Sequence, residues 1–191
     1  MVDLVKGRSC AGCTLCCKVV GISELQKPRD VWCSLCEPTH GCKAYSQRSR
    51  ERRGFYCGYL TNPSVDENWK PSKCRMVITY EELEIPKLSI YVDTSRLNVW
   101  RQEPYYSQIK LWAVQAATRQ GQVIIWQGRN TIVVLPDREK DLGEVKLGKF
   151  IVTIEKPGPI GRELDAIAVG PDDPIFKALR SAQKPPGPSC T

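Results

Sequence analysis

The cysteines of this chain are concentrated near its N-terminus, and their spacing constrains the fold more than any other feature. Nine of the ten lie between Cys10 and Cys74, and they begin with the run Cys10-Ala-Gly-Cys13-Thr-Leu-Cys16-Cys17. A two-residue spacer allows a tight turn to bring two sulfurs within bonding distance of one ion or cluster. The spacing therefore predicts a region that is organised around metal.

A second pair with a two-residue spacer and two further cysteines extend the array. The candidate metal ligands are Cys10, Cys13, Cys16, Cys17, Cys33, Cys36, Cys42 and Cys57. Eight sulfurs suit two tetrahedral Zn²⁺ sites, or one iron–sulfur cluster and one zinc. Adjacent cysteines point in different directions, so one of Cys16 and Cys17 can ligate while the other packs as a small apolar side chain or serves a second site. Cys74 and His40 are weaker candidates.

The expected compartment favours metal over disulfides. Residues 1–8 lack the apolar segment of a secretory signal, and no stretch approaches the roughly 18 uninterrupted apolar residues of a membrane-spanning helix. We therefore expect a cytoplasmic protein with no membrane contact, in which thiols stay reduced and bind metal.

The formal charge of +7 leaves the cysteines neutral, whereas metal ligands are thiolates. Eight thiolates around two Zn²⁺ would leave about +3, and one four-thiolate [4Fe–4S]²⁺ centre would leave about +5. The basic excess is then modest. Four arginines still cluster at Arg48, Arg50, Arg52 and Arg53. We expect a solvated basic face there, and contact with nucleic acid is possible but less favoured.

The chain divides into three zones, which together predict an α+β fold. Residues 1–75 form a loop-rich cysteine module that metal rather than apolar burial is expected to organise. Residues 76–156 are expected to form a small antiparallel sheet with one packed helix. Residues 157–191 are rich in Pro and Gly, and their end, which includes the isolated Cys190, is expected to be disordered.

Hydrophobic periodicity places the elements of the second zone. Alternation predicts strands at 76–80, 88–92 and 150–154, and a hairpin with strands at 123–126 and 131–134. A helix is predicted to begin at Pro104 and to end before Gly121, with the apolar stripe Tyr105, Ile109, Trp112 and Ala116. In the last zone, Asp173 and Pro174 are suited to begin a short helix.

These residues resemble the CxxCxxCC proteins, a YkgJ-like family described as zinc- or iron-chelating domains. The run from Cys10 to Cys17 matches the motif that gives the family its name. Two later stretches are also similar: Gly41-Cys42-Lys-Ala-Tyr45-Ser-Gln-Arg48, and Phe55-Tyr-Cys57-Gly-Tyr59-Leu60. The resemblance covers roughly residues 10–75 and implies bound zinc or iron, or an iron–sulfur module, with a largely uncharacterised role.

The sequence departs from that family pattern at two places. The family usually has a proline after the arginine and a cysteine three residues further on, where this chain has Ser49 and Arg52. One ligand that the resemblance implies is therefore absent, and Cys33, Cys36 or Cys74 would have to compensate.

Three functions compete at this point. The first is a metal-binding accessory or carrier protein without catalysis of its own. The second is a zinc module that contacts nucleic acid or a protein partner through residues 48–53. The third is an iron–sulfur redox component or enzyme subunit. No nucleophile, base and orienting residue form a recognisable set, so the first function is favoured.

Overall fold

The computed structural model describes residues 3–10, 12–43, 46, 48–82, 85–159 and 161–182. The terminal segment predicted to be disordered, with Cys190, and Tyr45 of the family-like stretch lie outside these ranges. The described helices are α1 (Cys16–Val19), α2 (Arg50–Arg53), α3 (Gly58–Thr61), α4 (Pro71–Cys74), α5 (Tyr105–Ala117) and α6 (Pro174–Ala182). Short 3-10 turns cover Ser23–Leu25, Glu67–Trp69, Thr94–Arg96 and Val99–Arg101.

Three sheets accompany these helices. Their strands are β1 (Cys36–Glu37), β2 (Gly41–Cys42), β3 (Met76–Glu81), β4 (Lys87–Val92), β5 (Gln122–Gln127), β6 (Asn130–Val134), β7 (Glu139–Glu144), β8 (Phe150–Gly158) and β9 (Gly161–Val169). The central sheet has the order β3-β4-β5-β6-β7, and β1-β2 and β8-β9 form separate pairs. The α+β class expected from the sequence is therefore confirmed.

The central sheet differs from the expected antiparallel sheet in one pairing. Strand β4 lies parallel to β5, with Ile90 opposite Ile125, while the other neighbours are antiparallel. The reason is α5, which connects β4 to β5 and returns the chain to the end of the sheet where β4 began. Within the described residues, none of the helices has the length and apolar character that a bilayer-spanning segment needs.

Helix α5 covers one face of this sheet. Its Ile109 and Ala113 are buried in the main core, and the rest of the predicted stripe packs against that core. Trp69, which precedes the predicted second zone, joins the same core: its ring lies 5.0 Å from that of Tyr105 and 4.8 Å from that of Trp112. The helix predicted at Asp173 is also present, and the Asp173 carboxylate accepts a hydrogen bond from the Ile175 N–H at 2.9 Å.

The cysteine-rich zone packs against the opposite face of the sheet. Leu15, Val19, Tyr59 and Leu60 form a buried cluster with Val77 of β3. The zone therefore has an apolar anchor of its own, which its weak hydrophobic periodicity did not indicate. This anchor fixes α1, which carries Cys16 and Cys17, and α3, which directly follows Cys57.

Candidate metal centre

Helix α1 presents two neighbouring sulfurs of the array, Cys16 and Cys17. A turn precedes it, in which the Cys13 N–H donates to the Cys10 carbonyl at 2.9 Å. Leu15, which caps the start of α1, and Val19 at its end are both buried. This burial fixes the orientation of α1 about its axis against the sheet. Successive residues of a helix are about 100° apart around its axis, so the Cα–Cβ bonds of Cys16 and Cys17 point in different directions, although both sulfurs contact Arg52.

The neighbours of Cys17 form what we call the second sulfur group: Cys17, Cys33, Cys36 and Cys42. The backbone assembles it, because the Cys33 N–H donates to the Cys17 carbonyl at 3.0 Å and the Cys36 N–H donates to the Cys33 carbonyl at 3.0 Å. Cys36 is then the antiparallel partner of Cys42 in the β1–β2 pair. Burial raises the pKa of Cys36, and the nearby Cys17 thiol opposes that rise.

The remaining candidate ligands form the first sulfur group: Cys10, Cys13, Cys16 and Cys57. Cys57 immediately precedes α3 and is buried in the cluster that also contacts Cys16. Burial, together with charge on Cys10, Cys16 and Cys13, raises the pKa of Cys57 to about 12, although a backbone hydrogen bond from Leu60 opposes the rise. Burial also raises the pKa of Cys10 and of Cys13, and charge on Cys16 adds to both effects. The packing of Cys57 and Cys16 in one cluster is consistent with these effects, and we treat the four thiols as one group on that basis.

Arg52 lies between the two sulfur groups. Its Nη2 donates to the Sγ atoms of Cys16 and of Cys17, each at 3.2 Å, and the residue is only 8% exposed. The guanidinium also stacks over the Phe55 ring, with 5.0 Å from Cζ to the ring centroid. Burial alone would lower the pKa of Arg52, but the sulfurs of Cys16 and Cys17 outweigh it and raise that pKa.

The adjacent thiols of Cys16 and Cys17 shift each other's pKa in opposite directions. The Cys17 thiol donates to Cys16, and together with Arg52 this bond lowers the pKa of Cys16 to about 6 although burial opposes it. The same bond raises the pKa of Cys17. The pair therefore stabilises one thiolate, and a thiolate is the form that binds a metal ion or another cation.

A second buried cation, Lys27, flanks the array. Its Nζ donates to the carbonyl oxygens of Lys18, Val20 and Pro28, at 3.0, 2.6 and 2.9 Å. Burial lowers the pKa of Lys27, while charge on Cys33 and Cys17 would raise it. A buried cation is costly without an anion nearby; Asp30 supplies one, and thiolates at these sulfurs would compensate the charge of Lys27 further.

Two weaker candidates belong to neither sulfur group, although charge on Cys13 and Cys57 also raises the pKa of one of them, Cys74. Cys74 is fully buried in the main core, where its thiol faces the Trp69 carbonyl at 3.4 Å and the Met76 carbonyl at 3.3 Å. Burial raises the pKa of Cys74 to about 12. His40 is exposed, and its Nδ1 lies 3.2 Å from the Thr39 hydroxyl. Neither side chain is directed at the array by a contact in the structure.

The arginine cluster expected to form a solvated basic face divides between two environments. Arg50 and Arg53 are exposed on α2, whereas Arg48 is half-buried and Arg52 faces the sulfurs. Sequence reasoning therefore missed the role of Arg52, although its position, where the resembling family has a cysteine, was a signal. Nothing in the sequence distinguished Lys27 from an exposed lysine.

All nine described cysteines are free thiols. Among the residues that the structure describes, no three His, Cys, Asp or Glu side chains already stand together in a way that could hold a metal ion. Ligation by either sulfur group therefore requires its side chains to draw closer together. Thiolates in sets of four are soft ligands that suit Zn²⁺ or an iron–sulfur cluster. The donor chemistry therefore fits either of the two cofactors that the sequence implies.

Comparison with known proteins adds no relative to this description. No protein-family model, curated protein or solved structure matches the chain.

Proposed function

We propose that this chain is a metal-binding protein whose N-terminal cysteines carry Zn²⁺ or an iron–sulfur cluster, in a cytoplasmic accessory or carrier role without catalysis of its own. The observation that carries the proposal is the backbone arrangement of the free thiols: Cys33 is bonded to Cys17 through the main chain, and Cys36 is the strand partner of Cys42. The resemblance to the CxxCxxCC proteins supports the same reading through the run from Cys10 to Cys17.

Electrostatics supports thiolates in preference to neutral thiols, and thiolates are the form that binds metal. Arg52 and Lys27 are buried cations beside the sulfurs, and two ion-paired or metal-bound thiolate groups would compensate their charge. Within the proposal, Cys10, Cys13, Cys16 and Cys57 would hold one centre, and Cys17, Cys33, Cys36 and Cys42 would provide further ligands. A bound metal would supply the attraction that draws these thiolates together.

Elemental analysis of anaerobically purified protein tests the proposal. Broad absorbance at about 400 nm that is lost on reduction, with bound iron and sulfide, would support an iron–sulfur cluster. A colourless protein with stoichiometric zinc would support the zinc alternative. The Cys13→Ser variant should lose metal, because Cys13 lies in the first sulfur group, and Cys74→Ala is the matched control. Native protein that contains neither zinc nor iron, or whose array cysteines are joined as disulfides, would refute the proposal.

The exposed Arg50 and Arg53 favour one alternative, a zinc module that contacts nucleic acid. Salt-dependent retention on a polyanion column, lost in the Arg50→Ser/Arg53→Ser variant, would support it. Retention that the double substitution leaves unchanged would count against it. Arg52 is left intact in this variant, because the buried guanidinium belongs to the sulfur array and its loss would confuse folding with binding.

A further inference from the structure

The two sulfur groups meet at two adjacent residues of α1, and the backbone attaches only one of them to the second group. The Cys17 carbonyl accepts from the Cys33 N–H at 3.0 Å, and the β1–β2 pair then places Cys36 opposite Cys42. Cys16, by contrast, packs against the cluster that contains Cys57. Apart from Arg52, which contacts both sulfurs, the backbone and packing partners of these two cysteines therefore lie on different segments of the chain.

We infer that Cys16 and Cys17 ligate different metal ions, so that the array holds two separate four-sulfur centres, and that Arg52 is the buried cation that bridges them. This inference rests on the proposed function, because it requires that the array binds metal at all. It goes beyond it by dividing the eight sulfurs between two centres and by giving a role to a residue that is not a ligand.

Two thiolate centres so close together repel each other. A Zn²⁺ ion or a [4Fe–4S]²⁺ cluster with four thiolates carries a net charge of about −2, and burial strengthens the repulsion between two such charges. Arg52 reduces this repulsion, because its nitrogen Nη2 donates to one sulfur of each group, at 3.2 Å in both cases. Hydrogen bonds to ligating sulfurs are among the outer contacts that hold metal sites in place.

The surroundings of Arg52 indicate that this position is built rather than incidental. The Ser49 hydroxyl accepts from the Arg52 N–H at 3.4 Å at the start of α2, and Phe55 supports the guanidinium face. Its Nη1 is buried and has no hydrogen-bond partner in the described part of the chain. A side chain with one unsatisfied donor in a buried place is held there by the other contacts that it makes.

One alternative is a single centre, with Cys17 or Cys16 acting as an idle packing residue. Metal counts on two matched variants distinguish the cases: Cys13→Ser removes a ligand of the first sulfur group, and Cys36→Ser removes one of the second. Two centres predict that wild-type protein binds two metal equivalents, or one cluster and one zinc, and that each variant loses one centre and keeps the other. A wild type with one centre, or a variant that loses all of its metal, would overturn the inference and leave the proposed function standing. Wild-type protein without metal would overturn the proposed function itself.

The role of Arg52 is tested by titrating metal-free protein anaerobically with Co²⁺ and following the sulfur-to-cobalt absorption of each equivalent. Arg52→Met should weaken binding of the second equivalent relative to the first by about tenfold to a hundredfold, the usual effect of removing an outer contact of a metal site. Arg53→Met, an exposed neighbour on the same helix, is the matched control and should leave both affinities unchanged.

A third variant covers the case in which Arg52→Met does not fold. Arg52→Lys keeps the buried charge but cannot place one planar group against both sulfurs, so it should give an intermediate loss for the second equivalent. Wild-type affinities for both equivalents in Arg52→Met, or in Arg52→Lys if the first variant is unfolded by circular dichroism, would overturn the bridging role.

Discussion

Asp93 joins the cysteine-rich zone to the central sheet through charge. The carboxylate is fully buried at 0% exposure, and its Oδ1 lies 2.6 Å from the Nζ of Lys18 on α1. The same Oδ1 accepts from the Ser95 N–H at 3.1 Å, while Oδ2 pairs with Arg75. Replacement of Asp93 with Ala would leave Lys18, itself 16% exposed, without its partner anion.

We expect Asp93→Ala to lower the free energy of unfolding by about 3–5 kcal/mol, the usual cost of removing one partner of a buried ion pair. Asp93→Asn should cost less, about 1–3 kcal/mol, because the amide oxygen can still accept from the Ser95 N–H. Asp172→Asn is a suitable control, since that side chain is 94% exposed and its pair with Lys177 should contribute less than about 1 kcal/mol.

Urea denaturation followed by circular dichroism, at constant metal content, measures these differences from the midpoint and the slope. A double-mutant cycle with Lys18→Met then isolates the pair, and we expect a coupling free energy of about 1–3 kcal/mol. Strict additivity of the two substitutions, or a loss below about 1 kcal/mol in Asp93→Ala, would refute the argument that this pair stabilises the junction.

The pH dependence gives an independent check on the same carboxylate. Burial would raise the pKa of Asp93, but the hydrogen bond from Lys18, the Ser95 N–H and the charge of Arg75 lower it. A lowered pKa in the folded state means that the stabilisation is complete well above the ordinary aspartate value of about 3.9 and is lost as the pH falls toward the folded-state value. The difference between wild type and Asp93→Asn should therefore be constant near neutral pH and shrink below about pH 4.

Three further substitutions test the core and the limits of the array. Cys74→Ala should lower the melting temperature but leave the metal content unchanged, because its thiol faces backbone carbonyls in the main core; loss of metal would place Cys74 in the site. Gly121→Ala should destabilise by about 1–3 kcal/mol, since a Cβ there would lie 2.9 Å from the Pro86 carbonyl oxygen, whereas Gly54→Ala meets only one atom at 3.9 Å and should have little effect; equal stability losses in the two variants would contradict this. Trp69→Ala should cost about 3–5 kcal/mol in urea denaturation, because its ring is buried against α5; a cost below about 1 kcal/mol would show that the segment before β3 is not part of the core.

Local patterns predicted most elements of the second zone, because each depended on residues close in sequence, but the highly charged strand β7 was not predicted. The stripe that includes Ile109 and Trp112 placed α5, and alternation around Gly128, which adopts a φ of +60°, placed the β5–β6 hairpin. The parallel pairing of β4 with β5 was not predictable in this way. Alternation in a strand states which side chains share a face, and it carries no information about the direction of the neighbouring strand.

The candidate site shows the same limit. Spacing in the sequence identified the thiols, but it could not assign them to separate centres. From the sequence alone, any four of the eight sulfurs could complete a tetrahedral site. The division depends on contacts between distant residues, such as the bond from the Cys33 N–H to the Cys17 carbonyl and the β1–β2 pairing. From the sequence, Arg52 was expected to be one arginine of a solvated cluster. Its burial depends on bonds to Cys16 and Cys17, which are distant in sequence and therefore could not be predicted.

One departure from the pattern of the resembling family, Arg52, lies at the sulfur array itself. Arg52 occupies the place where the resemblance implies a cysteine, and it contributes a cation instead of a ligand. Of the cysteines that could compensate, Cys74 is enclosed in the main core, whereas Cys36 lies against Cys17 and opposite Cys42. Within the proposed function, Cys36 is therefore the replacement ligand, and the exchange keeps eight sulfurs while adding one buried positive charge between them. Such an exchange weakens the repulsion between two thiolate centres at no loss of ligands, which is the physical reason to expect that Arg52→Met weakens whichever centre fills second, whereas Cys36→Ser removes a ligand of one centre only.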